Sequence, residues 1–94
     1  MYWVYVLYSK SGKAFYIGQT TDLEHRIWEH NTGFYRDTYT ESAKDWELYY
    51  KIVCESRKQA IKVERHIKKM KSRKYLESLK NYPEISKRLL SKYQ

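Results

Sequence analysis

The 94-residue sequence predicts one small α+β domain, in which helices flank a three-stranded antiparallel β-sheet. Two segments near the amino terminus are dense in Val, Ile and aromatic residues, and a third segment alternates in polarity. Helical patterns with capping residues lie between the second and third strands and after the third. A chain of this length supports one hydrophobic core, so we expect residues 1–94 to form a single domain.

The first two predicted strands, residues 2–8 and 14–19, form a hairpin. They are joined through the sequence SKSG, in which Gly12 is able to supply a positive φ. If Tyr8 pairs with Lys13, Tyr5 stands directly opposite Tyr16, with about 5 Å between their Cβ atoms. Both phenols then project from one face of the sheet, either as a packing pair or toward a common substrate.

A helix is predicted over residues 22–31. Thr21 and Glu24 match a capping box at its start, and either Asn31 or Gly33 is suited to end it. The sequence therefore places this helix directly after the hairpin.

Two polar side chains border the apolar stripe of this helix, which is formed by Leu23 and Ile27. With 100° per residue, Arg26 and His30 lie within about 60° of the stripe. Arg26 extends to water, pairs with a carboxylate or has a functional role. His30 is either a structural residue or part of a functional site.

The third strand is predicted at residues 46–54, after a long polar loop from Thr32 to Asp45. Alternation in WELYYKIVC places five side chains on one face: Trp46, Leu48, Tyr50, Ile52 and Cys54. Ser56 then caps a helix with apolar residues at helical spacing: Ala60, Val63, Ile67 and Met70. A second helical piece spans Arg73 to Leu79, and Pro83 suits the first turn of a last helix ending near Tyr93.

Glu64 lies inside the apolar stripe of the helix that follows Ser56. A buried carboxylate is costly unless it meets a cation, a hydrogen-bond network or a metal ion. A salt bridge to Arg26 or to a lysine is one solution. One carboxylate, one arginine and two phenols also form a coherent site for phosphodiester hydrolysis, which needs a positioned water and stabilisation of added negative charge.

Charge is distributed unevenly along the chain, whose formal net charge is +8. Residues 1–50 carry five Lys and Arg against seven Asp and Glu, giving −2, and residues 51–94 carry fourteen against four, giving +10. Proteins that bind phosphates have this pattern, and so do solvated lysine-rich helices. The lone Cys54 excludes an intrachain disulfide, and we expect a cytoplasmic protein with no export signal and no membrane span.

The ordered set of motifs resembles the GIY-YIG nuclease domain, and in particular its small stand-alone bacterial members. The sequence WVY (Trp3 to Tyr5) stands at the first triplet and YIG (Tyr16 to Gly18) at the second. They are followed by QTTDLEHRIWEH with Arg26 and by the helical Glu64. The resemblance covers roughly residues 2 to 80.

This resemblance implies a three-stranded antiparallel sheet with flanking helices and one divalent cation, Mg²⁺ or Mn²⁺, held by Glu64. It implies that Tyr16 or Tyr5 positions and deprotonates the attacking water. Arg26 would stabilise the phosphoryl transition state, and His30 would be an auxiliary polar group near the substrate.

Two positions depart from the family pattern. Trp3 replaces the glycine of the first triplet, and Asn81 is the nearby candidate for the asparagine often found after the metal-binding glutamate. The run KKMKSRK is predicted to contact backbone phosphates, or else to be a solvated helix end. Its cationic residues are Lys68, Lys69, Lys71, Arg73 and Lys74.

We therefore predict a metal-dependent endonuclease that hydrolyses DNA phosphodiester bonds, in repair, recombination or related processing. Cleavage would be structure-selective or non-specific, and a protein partner would supply further specificity. One alternative is a nucleic-acid-binding module that retains the fold with little or no catalysis. A more remote alternative is a structural or protein-interaction domain.

Overall fold

The computed structural model describes residues 1–34 and 43–94. One antiparallel sheet has the strand order β2-β1-β3, with β1 at Tyr2–Ser9, β2 at Ala14–Thr20 and β3 at Trp46–Cys54. The helices of these ranges are α1 (Leu23–Thr32), α2 (Arg57–Met70), α3 (Arg73–Asn81) and α4 (Pro83–Lys92). The predicted α+β fold is confirmed, and residues 35–42 of the predicted loop lie outside the described ranges. No helix in the described part is long and apolar enough to cross a membrane.

The register of the hairpin differs from the predicted one by two residues along β2. Tyr5 pairs with Gly18, and Leu7 pairs with Tyr16, so the predicted pairing of Tyr5 with Tyr16 is wrong. Because the shift is two residues along β2, side-chain direction is retained. Both phenols still lie on the same side of the sheet, where they pack in one cluster.

A hydrogen-bond network centred on Asp45 fixes the hairpin loop. The Ser9 hydroxyl donates to Asp45 Oδ1 at 2.6 Å, the Ser11 hydroxyl donates to the same oxygen at 2.8 Å, and the Ser11 amide donates to Oδ2 at 2.9 Å. The Gly12 amide donates to the Ser9 hydroxyl at 3.0 Å. The positive φ of the loop, 49°, belongs to Lys13 and not to Gly12 as predicted. The loop therefore occupies residues 10–13, which sets the observed register.

Helix α1 begins and ends at residues other than those of the predicted capping box. Asp22 is the N-cap instead of Thr21, and its carboxylate accepts a hydrogen bond from the His25 backbone amide at 3.2 Å. Gly33 ends the helix with a φ of 80°. Asn31 lies inside the helix, where its side chain accepts from the Trp46 amide (2.7 Å) and donates to the Trp46 carbonyl (2.9 Å). These two bonds attach α1 to the start of β3.

A β-bulge reverses the side-chain direction within β3. The pairing with β1 shifts by one residue at Tyr49, which is left as an extra residue. The predicted single apolar face of β3 is therefore wrong. Trp46 packs in the cluster beneath α1, whereas Ile52 and Cys54 pack on the opposite side of the sheet.

The sheet separates two hydrophobic clusters. The larger one joins the sheet to α2, α3 and α4, and its buried members are Val4, Val6, Ile52, Cys54, Ala60, Val63, Ile67, Leu76, Leu79 and Leu89. The smaller one, beneath α1, contains Tyr5, Leu7, Ala43 and Trp46. Ser56 and Pro83 begin α2 and α4 as predicted, but Met70 is 45% exposed at the end of α2 and is not part of the core.

Replacing Asp45 by asparagine is expected to remove part of the pH dependence of stability. Hydrogen bonds from Ser9 and Ser11 lower the pKa of the Asp45 carboxyl from 3.8 to about 2. Because the folded-state pKa is lowered, this stabilisation is complete above about pH 4 and is lost as the pH falls toward 2. Urea unfolding across this pH range should show a steeper loss of stability for wild type than for Asp45→Asn.

An NMR titration of the carboxyl carbon measures the pKa of Asp45 directly. Glu47→Gln removes one negative charge outside the network and is the control for a general charge effect. If wild type and Asp45→Asn lost stability equally on acidification, the proposed role of Asp45 would be wrong.

Candidate active site

A polar cleft of about 410 Å³ lies where α1, α2 and the end of β2 meet. Arg26 enters its lining from α1, and Arg57 and Glu64 enter from α2. The other lining residues are Tyr2, Gln19, Thr20 and Thr21. The cleft therefore brings the predicted carboxylate and the predicted arginine together, although their two helices pack on opposite faces of the sheet.

Glu64 is mostly covered, with 16% of its side chain exposed, and it opens on this cleft. Lys68 lies one turn later on α2, with its Nζ 3.7 Å from Glu64 Oε1. Lys68 is thus the lysine partner that the sequence left as an alternative to Arg26. Arg26 Nε donates to Glu29 Oε1 at 3.2 Å within α1. The lining of the cleft therefore contains two guanidinium groups and one partly exposed carboxylate.

Tyr5, Tyr16 and His30 form an aromatic cluster on the α1 side of the sheet. The Tyr5 hydroxyl and His30 Nε2 are hydrogen-bonded at 3.1 Å. The centroid of the Tyr16 ring is 4.7 Å from that of His30 and 6.3 Å from that of Tyr5. Tyr5 and His30 are 0% and 1% exposed, whereas Tyr16 is half-buried. Tyr16 is therefore the phenol of this cluster that retains contact with solvent.

Gly18 allows the Tyr5 phenol to reach His30. Tyr5 and Gly18 face each other across β1 and β2, and the phenol lies over the glycine. A Cβ atom on Gly18 would stand 2.5 Å from Tyr5 Oη and 2.7 Å from Tyr5 Cζ, closer than non-bonded atoms approach. The glycine of the second triplet is thus required by the packing of the tyrosine of the first.

The predicted phosphate-contacting residues face more than one surface. Three of them line a groove of about 240 Å³ beside Phe15 and Ile17: Lys68, Lys71 and Arg73. Lys69 lines a different pocket, and Lys74 is exposed on α3. Of these residues, the three that line the groove are connected to the cleft, because Lys68 contacts Glu64.

Asn81 and Arg57 differ in their position relative to the cleft. Asn81 is exposed at the end of α3 and does not line the cleft, because α3 packs on the larger cluster through Leu76 and Leu79. Arg57 lines the cleft but was not singled out from the sequence. It lies seven residues before Glu64, which is two helical turns, and that spacing is the signal that identifies it.

Glu64 is suited to hold a divalent cation together with water and substrate oxygens. Within residues 1–34 and 43–94, no group of three or more His, Cys, Asp and Glu side chains forms a multi-ligand metal site. Mg²⁺ keeps several waters and is often bound through one or two carboxylates plus substrate phosphates. A single carboxylate on a polar cleft fits that requirement.

Gly18→Ala is expected to destabilise the fold by about 1–3 kcal/mol, because the added methyl group overlaps the buried Tyr5 phenol. Urea unfolding measures this loss. In a Tyr5→Leu background the overlap is removed, and the same alanine should be much less destabilising. Equal losses in both backgrounds would show that the Tyr5 phenol is not the reason for the glycine.

The chain matches known proteins over most of its length. Residues 1–76 match the family model of the GIY-YIG catalytic domain. The chain is similar to a UPF0213 protein of Syntrophus aciditrophicus (strain SB), with 37% identity over 82 residues, or 87% of this chain and 93% of that protein. No solved structure gives a significant match. The chain therefore belongs to the GIY-YIG family, whose catalytic domains are endonucleases that bind DNA and generally use divalent metal ions.

Proposed function

We propose that this chain is an endonuclease that hydrolyses DNA phosphodiester bonds with one divalent cation, Mg²⁺ or Mn²⁺. The observation that carries the proposal is the cleft in which Glu64 stands beside Arg26 and Arg57. Within this cleft, the carboxylate provides a ligand for a cation, and the two guanidinium groups provide hydrogen-bond donors for a phosphate. This combination is what hydrolysis of a phosphodiester requires.

Glu64 would hold the cation through its carboxylate. When bound, the cation supplies Lewis-acid stabilisation of the scissile phosphate and the leaving oxygen. Lys68 contacts the same carboxylate at 3.7 Å, and its side chain is 52% exposed. A long lysine with this exposure is able to turn toward water or a phosphate and release the Glu64 oxygen.

Arg26 and Arg57 would bind the phosphate whose ester bond is cleaved. Guanidinium groups donate paired hydrogen bonds to phosphate oxygens and favour the additional negative charge of the transition state. The bond from Arg26 Nε to Glu29, 3.2 Å long, restricts the orientation of the Arg26 guanidinium. Arg57 adds a second cation from the first turn of α2.

Of the two tyrosines that the sequence singled out, we assign Tyr16 to orient and deprotonate the attacking water, because Tyr5 is buried and Tyr16 is only half-buried. The proton of the water would pass to the phenolate oxygen of Tyr16. Such a base must be a phenolate, and a positive charge close to a phenol favours that form. Tyr5 is buried and bonded to His30, and these two residues would position the Tyr16 ring.

The basic groove formed by Lys68, Lys71 and Arg73 would contact the DNA backbone beside the cleft. Contacts to phosphates position a duplex without reading its sequence. We therefore propose structure-selective or non-specific cleavage in repair, recombination or related DNA processing, with a protein partner supplying further specificity. The lone cysteine, Cys54, is buried and free, which is compatible with a reducing cytoplasm as the location.

Glu64→Gln is expected to abolish metal-dependent nicking of supercoiled plasmid while DNA binding remains. Glutamine keeps the size and polarity of the side chain but removes the charge that holds the cation. Nicking is measured with Mg²⁺, with Mn²⁺ and with a chelator, and binding to a short duplex is measured by fluorescence anisotropy. Glu77→Gln, the same substitution at an exposed position of α3, is the matched control and should cut like wild type.

Two results would count against the enzyme. Wild type could fail to nick under every metal condition, or Glu64→Gln could nick as fast as wild type. Salt-sensitive DNA binding by a wild-type protein that does not cut would support the alternative, a binding module that retains the fold.

Tyr16→Phe and Tyr5→Phe are expected to separate catalysis from positioning. Loss of the Tyr16 hydroxyl should lower the single-turnover nicking rate by about 10²–10⁴-fold, as expected for a general base. Loss of the Tyr5 hydroxyl removes its bond to His30 and should mainly lower stability, by about 0.5–1.5 kcal/mol. Nicking rates and urea unfolding of both variants test the assignment, and a larger rate loss in Tyr5→Phe would overturn it.

A further inference from the structure

A basic pocket of about 650 Å³, distinct from the cleft and from the basic groove, lies between α2 and α4. Every charged side chain in its lining is a cation or a histidine, and the lining residues are Lys62, Arg65, His66, Lys69, Met70, Lys92 and Tyr93. The cations come from two helices that are separated in sequence by α3. They therefore converge on a concave surface and do not simply follow one solvated helix face.

His66 is held in place within this pocket. Its Nδ1 is hydrogen-bonded to the Tyr93 hydroxyl at 2.9 Å, and its ring lies 5.6 Å from the Tyr93 ring and 6.2 Å from the Tyr75 ring. Burial lowers the pKa of His66, and the charges of Lys92 and Lys69 lower it further. The same positive charge that disfavours a protonated imidazole favours a bound anion.

The pocket and the cleft lie on different flanks of α2. With 100° per residue, Arg57, Glu64 and Lys68 lie on one side of the buried stripe of this helix, and His66 lies on the other. The outer surface between them carries Lys62, Arg65 and Lys69. An α-helix with its side chains is about 10–12 Å wide, so both flanks are within reach of a single duplex.

We propose that this pocket is a second phosphate-binding site, which holds backbone phosphates of the bound nucleic acid away from the cleaved bond. Phosphate oxygens would accept from the lysine, arginine and histidine donors and neutralise their mutual repulsion. The site would fix the direction in which a duplex leaves the cleft, across the outer surface of α2. The inference rests on the proposed nuclease function for the identity of its ligand.

Charge-neutralising variants test the site in the non-cutting Glu64→Gln background. The pocket variant carries Lys62→Gln, Arg65→Gln and Lys92→Gln. The control variant carries three equivalent changes at exposed lysines outside the pocket: Lys10→Gln, Lys44→Gln and Lys51→Gln. Anisotropy titrations with a duplex at several salt concentrations measure affinity and its salt dependence. The pocket variant should bind more weakly, and its salt slope should fall by about 1 for each phosphate that it no longer neutralises.

NMR of the His66 imidazole gives a second readout, which reports on the pocket itself. Adding the duplex should move the His66 signals and raise the pKa of this histidine, at concentrations far below those needed with inorganic phosphate. If the signals moved with inorganic phosphate but not with the duplex, the pocket would be a small-anion site and the proposal would be overturned. Equal decreases of affinity in the pocket and control variants would also overturn it.

These outcomes are separable from those of the nuclease proposal. Wild type that binds DNA through the pocket but never cuts would contradict the nuclease and leave the second site in place. Wild type that cuts, with duplex binding unaffected by the pocket variant, would do the reverse.

Discussion

The contact between the Tyr5 phenol and Gly18 determines how the aromatic cluster of Tyr5, Tyr16 and His30 is built. The phenol crosses the second strand where a side chain is absent, and its hydroxyl reaches His30 on α1 at 3.1 Å. A sheet residue is thereby joined to a helix residue inside the smaller cluster. Tyr16 packs on this pair and is half-buried. The two triplets are thus physically one unit, because the glycine of one makes room for the tyrosine of the other.

The same contact shows what sequence patterns predict and what they miss. Strands, helices and the shared side of the phenols follow from local periodicity, which is insensitive to a register shift of two residues. The register itself depends on Asp45, which bonds to a loop more than thirty residues earlier in the chain. Helical spacing located Glu64 and would also have located Arg57. Neither the bulge at Tyr49 nor the exposed position of Asn81 has a local signal, since both arise from packing between distant elements.

Electrostatics organises the cleft. Glu64 is a single acid whose neighbours in the cleft and on its own helix are Arg26, Arg57 and Lys68. A carboxylate alone would repel a phosphate, and cations alone would give no ligand for a metal ion. Because the carboxylate and the cations lie together, the cleft is able to attract both a metal ion and a phosphate. The two guanidinium groups come from different halves of the chain, Arg26 from the net-negative residues 1–50 and Arg57 from the net-positive residues 51–94.

The bulge in β3 has a consequence for how the molecule unfolds. One continuous strand contributes Trp46 to the cluster on one side of the sheet, and Ile52 and Cys54 to the cluster on the other. Neither hydrophobic cluster can therefore unfold without displacing the β3 backbone, which also contributes to the other cluster. This linkage favours all-or-none melting over the independent loosening of one helix.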